Sequence, residues 1–317
     1  GDNLVNLLVA ENLGSVPRSE ILRVLVPNGV AYVKQGARWT KAVKPRPKDL
    51  DEWTHYLHDS SNNAVAHDTV VGPPRHLQWV GSPTYTRHHD HMSSFSAMVS
   101  AGGRVFYVID EGLRAEIQLP SSWSLVARDA FNGTVLWERP IPNWHTRLWP
   151  AKSGPAQLPR RLVAVGDTVY VALGLDAPLT ALDAATGKTI RTYDQTKATE
   201  EVLWSDGALF ALVNDKPTKQ PWATLPGYPT IAELRGEPDK WSWSGDARTV
   251  VALDATTGKT LWQQKSPVVP LTLTADASRV LFHDGGKVVC LDRANGRPRW
   301  ASKPVTRAAE IRAWFAP

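Results

Sequence analysis

Short apolar runs that end on an aspartate dominate the hydrophobic pattern of this chain. Val250-Val251-Ala252-Leu253 leads into Asp254, Gly258 follows four residues later, and Trp262 stands eight residues after the aspartate. The same arrangement links Asp129 to Gly133 and Trp137, Asp183 to Gly187 and Arg191, and Asp292 to Gly296 and Trp300. Each copy predicts a hairpin. The aspartate accepts hydrogen bonds from the turn backbone, the glycine takes the left-handed position, and the long or aromatic residue lands on the second strand. Arg191 departs from the pattern, which predicts a more polar contact for the second unit.

All-strand units that recur at intervals of roughly 40 to 70 residues predict a mainly-β fold, a β-propeller of four-stranded antiparallel blades. Blade one is expected over residues 94–140 and blade two over 160–194. Blade three begins at Glu201, is interrupted over 214–247 and resumes over 248–265, and blade four covers 270–303. The segment Arg75-His76-Leu77-Gln78-Trp79 reads as the lone last strand of a further blade. Only 14 residues follow Lys303, too few for three more strands, so the ring is expected to be incomplete and to be finished by further blades of a longer chain or by a second copy. Trp137, Trp262 and Trp300 are expected to be buried between blades.

The region before the repeats has a different pattern. Residues 1–33 predict a partial α/β unit, with a strand near Leu4, a helix from Arg18 and a second strand after the Pro27-Asn28-Gly29 turn. Residues 34–72 follow as a basic, proline-containing linker, within which residues 49–59 read as one or two helical turns that put His55 and His58 at i, i+3 on a wet surface. The propeller is expected over 73–317.

Composition changes this picture little. The 36 basic residues are scattered among 31 acidic ones, so no nucleic-acid footprint is expected. No apolar stretch approaches the ~20 residues of a spanning helix, so no membrane span is expected. The single Cys290 lies in an alternating run and reads as a small buried hydrophobe.

Candidate chemistry gathers in loops expected on one face around the channel. Tyr85, Arg87, His88, His89 and His91 precede blade one, Arg114 follows its second strand, and Trp144, His145, Arg147, Trp149 and Lys152 join blades one and two. Guanidinium forks with aromatic faces suit an anionic glycan or another flat anionic small molecule. A His-Arg-Tyr set also suits proton abstraction beside a carboxylate, as in a polysaccharide lyase. His89 and His91, sharing one face of an extended strand, can form a divalent metal site with His145 and Glu111. A polar histidine loop satisfied by solvent is the competing reading.

The four Asp-x-x-x-Gly hairpins together resemble the pyrroloquinoline-quinone (PQQ)-like β-propeller repeat family. The stretches Glu52-Trp53-Thr54-His55 and Gly72-Pro73-Pro74-Arg75-His76-Leu77-Gln78-Trp79 resemble large multidomain members of it from planctomycete-type bacteria. Residues 20–30 are similar to the late helix-turn-strand of class I methyltransferase-like domains, without the glycine-rich loop that would hold the nucleotide. The family resemblance implies a periplasmic or extracellular setting and, in its dehydrogenases, PQQ as cofactor. Those dehydrogenases carry a vicinal cysteine pair that one cysteine cannot make. The expectation is therefore a ligand-binding propeller, with a quinone- or metal-dependent oxidoreductase and a protein-interaction scaffold as alternatives.

Overall fold

The computed structural model of the protein describes residues 1–69, 72–73, 77–83, 87, 94–113, 121–142, 144, 158–214 and 246–304. Four four-stranded antiparallel sheets account for most of them, each a meander in chain order. The first holds β4 (Phe95–Ala101), β5 (Arg104–Asp110), β6 (Trp123–Asp129) and β7 (Val135–Ile141), and the second β8 (Leu162–Val165), β9 (Thr168–Ala172), β10 (Leu179–Asp183) and β11 (Thr189–Tyr193). The third holds β12 (Thr199–Ser205), β13 (Ala208–Val213), β14 (Arg248–Asp254) and β15 (Thr260–Ser266), and the fourth β16 (Thr274–Ala275), β17 (Arg279–His283), β18 (Val288–Asp292) and β19 (Pro298–Ala301). These are the expected blades, with β1 to β3 belonging to the N-terminal unit.

The middle strands are covered on both faces and read as unbroken apolar runs: every residue of β6 and β13 is buried. The outer strands β7, β11, β15 and β19 are largely exposed. The core lies between blades. One cluster joins blades one and two through Phe106, Leu125, Trp144, Leu162 and Val171. A second joins blades two and three through Tyr170, Leu179, Leu209 and Val251. A third joins blades three and four through Phe210, Val250, Trp262 and Phe282. The innermost strands β4, β8, β12 and β16 touch one another in that order.

Each turn aspartate works as its chemistry predicts. Asp254 Oδ1 accepts from the Thr257 backbone N–H at 2.7 Å and from the Thr257 hydroxyl at 2.8 Å, and the Gly258 N–H closes the turn on the Asp254 carbonyl at 2.9 Å. The turn is also a socket for the preceding blade. The Trp137 indole N–H donates to the carbonyl of Ala184 at 3.0 Å, and that of Trp262 donates to the carbonyl of Arg293 at 2.7 Å. In each case the acceptor is the residue just after the turn aspartate, and the ring covers the turn glycine. A methyl group on Gly296 would stand 2.6 Å from the Trp262 ring, and φ there is +70°, so both sterics and backbone require glycine.

Arg191 keeps this contact by a division of labour. Its aliphatic stem lies over Gly258, and Tyr193, two residues on, donates its hydroxyl to the Ala255 carbonyl at 2.7 Å. Trp79 docks on blade one in the same way, with its indole N–H on Ala130 O at 3.0 Å and its ring against Gly133. It occupies the place of a preceding blade's last-strand tryptophan, but residues 77–80 form no strand. Trp300 is 45% exposed, contrary to the expectation of burial, because among the described residues no further turn covers it.

The N-terminal unit is a mixed sheet of β1 (Val5–Ala10), β2 (Leu25–Gln35) and β3 (Arg38–Val43), with α1 (Arg18–Val24) between β1 and β2. β1 and β2 are parallel, and the expected Pro27-Asn28-Gly29 turn is instead an irregularity within β2, where the register jumps and Asn28 has φ of 65°. Part of the expected linker is β3, antiparallel to β2. Lys44 beyond it is tied to Asn3 Oδ1 and the Leu25 carbonyl at 2.6 and 2.7 Å. Asn6 Nδ2 donates to Asp129 Oδ2 at 2.6 Å, joining this unit to blade one. No helix among the described residues is long and apolar enough to cross a membrane.

Trp262 and Trp300 occupy equivalent positions and differ in having a socket. Trp262→Ala is expected to destabilise the fold by about 3 to 5 kcal/mol, and Trp300→Ala by less than about 1 kcal/mol. Denaturant unfolding of both variants checks this, and equal losses would remove the socket as the cause.

Candidate functional site along the axis and at the loop end

Residues 52–62 are not helical. They run as an extended, turning segment past the innermost strand of every blade. The Trp53 carbonyl accepts from Ser100 N–H on β4 at 2.7 Å, and the Thr54 carbonyl from Ala164 N–H on β8 at 3.0 Å. His55 Nε2 accepts from Trp204 N–H on β12 at 3.0 Å. The Ser60 carbonyl accepts from Ala275 N–H on β16 at 3.0 Å, and Ser60 Oγ donates back to the Ala275 carbonyl at 3.0 Å. Asn62 Nδ2 reaches the Leu273 carbonyl at 2.9 Å. A β-strand edge facing the axis leaves such groups unpaired, and this segment pairs them blade by blade.

His55 and His58 are therefore not surface neighbours, being 2% and 4% exposed. They form an isolated antiparallel bridge, and His58 sits at φ 71°. Because His55 Nε2 is an acceptor, the proton is on Nδ1, which donates to Thr54 Oγ1 at 2.7 Å; that hydroxyl in turn donates to the His58 carbonyl at 3.1 Å. Burial, reinforced by the charge of Arg160, pushes the His55 pKa down to about 3.

The second centre lies where the inner strands begin, the end that carries the long loops. Arg160 and Glu201, each about 1% exposed, face one another at 4.0 Å. Burial lowers the pKa of the arginine and raises that of the glutamate, each opposed by the partner's charge. Arg160 Nη2 donates to the Leu271 carbonyl at 2.9 Å, whereas its Nε, the atom nearest Glu201, and its Nη1 make no hydrogen bond among the described residues. Next to it, Arg161 donates to the Trp144 carbonyl at 3.3 Å and lies 5.8 Å from the Trp144 ring centre. No carboxylate among the described residues contacts Arg161; burial draws its pKa down to about 10 against the opposing charges of Glu200 and Asp176, which leaves it charged at neutral pH. Arg248 is paired with Glu200 at 3.1 Å.

Of the loop residues singled out from the sequence, Arg87, Glu111 and Trp144 are described. Tyr85, His88, His89, His91, Arg114, His145, Arg147, Trp149 and Lys152 lie outside the described residues. Arg87 is committed internally: it pairs with Asp110 at 2.9 Å, both side chains buried, and Nε donates to the Leu113 carbonyl at 2.9 Å. Trp144 is fully buried and donates its indole N–H to Ser96 Oγ at 2.6 Å. Both hold loops to blade one and offer no open face to a ligand. The pKa of Glu111 is raised by desolvation and by the neighbouring carboxylate of Glu138. Arg160, Arg161 and Glu201 had no signal in the sequence beyond their charge.

Residues 246–312 match the family described as outer membrane protein assembly factor BamB. The repeat is a PQQ-like β-propeller repeat. Among the curated proteins none matches the chain. Among solved structures, BamB from Moraxella catarrhalis is similar at 19% identity and a TM-score of 0.35, over 65% of this chain and 47% of that one. A europium-containing methanol dehydrogenase is similar at 10% identity and a TM-score of 0.41, over 80% of this chain and 49% of the other. A quinohemoprotein alcohol dehydrogenase from Comamonas testosteroni gives 13% identity and a TM-score of 0.43, over 80% and 41%. The chain spans about half the length of these structures, and likeness at such identities concerns the fold alone.

The inner strands of the four blades are paired along the axis by the chain's own residues 53–60. Cys290 is alone and buried in β18.

The tautomer of His55 carries a pH signature. The unfolded chain protonates this histidine below pH ~6.5, while the folded protein holds it neutral down to about 3. Stability from this group is therefore complete above pH ~6.5 and lost progressively as the pH falls toward 3. Between pH 7 and 5 the wild type should lose about 2 kcal/mol more than His55→Gln, as measured by urea unfolding at the two pH values; parallel losses would show that His55 titrates normally in the fold.

Proposed function

We propose that the chain is a BamB-like, ligand-binding propeller whose loop end receives an acidic ligand. The observation that supports this most is Arg161, a charged guanidinium held in a low-dielectric site with no contacting carboxylate among the described residues. The charges of Glu200 and Asp176 act on it only from beyond contact distance, so its burial is costly, and its field is less screened than that of a surface arginine. An anionic group bound at the loop end would offset that cost. Acidic carbohydrate is the ligand class, because the sequence of the loops before blade one and between blades one and two supplies Arg147 and Lys152 for carboxylates and Trp149 and Tyr85 for ring faces.

The oxidoreductase alternative is weaker, since the single Cys290 cannot form the vicinal cysteine pair of the quinone-dependent dehydrogenases that the repeats resemble. A protein-interaction scaffold is the second reading. It is favoured by the match to the BamB assembly-factor family and by the apolar residues Leu136, Ile190 and Leu261 exposed on three outer strands. A periplasmic or extracellular setting rests on that family likeness. The methyltransferase-like character of residues 20–30 and the planctomycete-type multidomain context rest on the sequence resemblance alone.

A glycan array of acidic and neutral oligosaccharides, followed by calorimetry with the best acidic oligomer, tests the proposal. Acidic oligomers should bind selectively, more weakly as salt rises, and Arg161→Lys should weaken binding about tenfold. Retention of neutral and acidic oligomers alike, or of neither, would contradict it.

A further inference from the structure

The axial segment carries a second set of polar groups that its contacts with the blades do not use. Asp51, His58 and His67 bring one ligand atom each to within 4.8 Å of one another. His58 Nε2 stands 2.7 Å from Asp51 Oδ2. The rings of His58 and His67 meet edge to face with centroids 4.9 Å apart. The backbone supports this grouping, because the His67 N–H donates to the same Asp51 oxygen at 2.6 Å and so folds the chain back over residue 51. His55 does not compete for a ligand, as both its nitrogens are engaged with Trp204 and Thr54.

His58 supplies the observation that points to a cation. It is 4% exposed and lies between two carboxylates. Its Nδ1 is buried without a hydrogen bond, yet stands 3.4 Å from Asp59 Oδ2. Asp59 is itself oriented by the backbone N–H and hydroxyl of Ser61. A neutral His58 with its proton on Nε2, bonded to Asp51, would turn a bare Nδ1 lone pair toward the Asp59 carboxylate. With a metal on Nε2 the proton moves to Nδ1 and faces Asp59, the arrangement in which a carboxylate orients a ligating histidine.

We propose that Asp51, His58 and His67 form a divalent transition-metal site of the Zn²⁺ type, with Asp59 behind His58 and water in the remaining position. Ligand atoms about 2.0 to 2.2 Å from a tetrahedral ion lie about 3.3 to 3.6 Å from one another. The observed separations, from 2.7 Å to at most 4.8 Å, bracket that range, and rotation of the exposed His67 ring closes the difference. One carboxylate and two imidazoles are a donor set that suits zinc and disfavours Ca²⁺ or Mg²⁺, which take oxygen ligands. The ion would close the loop from residue 51 to residue 67 and so clamp the segment that binds all four blades. Its ligands are not those of the metal site expected from the sequence at His89 and His91.

The test uses the full chain after treatment with a chelator, titrated with Zn²⁺ while thermal unfolding is followed, and with Co²⁺ while visible absorption is followed. One equivalent of Zn²⁺ should raise the unfolding temperature, and Co²⁺ should give the absorption bands of a four-coordinate nitrogen-oxygen site. His67→Ala should weaken Zn²⁺ binding at least about tenfold, with the shift read against that variant's own metal-free unfolding temperature. His89→Ala with His91→Ala should leave binding intact. Absence of a Zn²⁺ shift, a shift indifferent to His67→Ala, or a shift abolished by the His89 and His91 changes would each overturn the proposal.

Discussion

A propeller leaves the inner edge of each sheet facing its axis, and the unpaired N–H groups there constrain everything else in this molecule. A buried amide without a partner costs about 1 to 3 kcal/mol. Ser100, Ala164, Trp204 and Ala275, one on each innermost strand, all find their acceptor in residues 53–60. The segment spans the four blades in chain order, so a stretch of about ten residues ties together sheets that are otherwise held only to their neighbours.

At the periphery the blades are joined by a different device, repeated at each junction. A last-strand tryptophan caps the next turn and donates to the carbonyl after its aspartate. Where Arg191 replaces tryptophan, the cap and the hydrogen bond pass to two residues, the arginine stem and the Tyr193 hydroxyl. The junction thus tolerates a change of side chain as long as the glycine is covered and the carbonyl is paired. Inner and outer fastenings act on opposite edges of each sheet, and the apolar clusters between blades fill the space between them.

The hairpins were legible in the sequence because their chemistry is local: an aspartate and a glycine four residues apart satisfy the same turn in every copy. The apolar runs were legible because both faces of the middle strands are buried. The axial segment was not, since its partners lie some 47 to 215 residues away along the chain, and a stretch with Trp53, Tyr56 and Leu57 on one side imitates an amphipathic helix. Nothing local announces that His58 adopts a left-handed backbone. The loop residues show a related limit. Sequence identified Arg87 and Trp144 as groups able to bind a ligand, but their capacity is spent on Asp110 and Ser96, while Arg160 and Arg161, which lacked a motif, hold the buried charge.

Residue-resolved hydrogen exchange at the four axial amides tests the central role of residues 52–62 most directly. In the wild type, the amides of Ser100, Ala164, Trp204 and Ala275 should exchange slowly, at a common rate set by release of the segment. In His55→Ala all four should lose protection together, while amides paired within β5, β9, β13 and β17 keep theirs. Exchange of the four at unrelated rates, or loss of protection at Trp204 alone, would contradict a single segment that holds the blades.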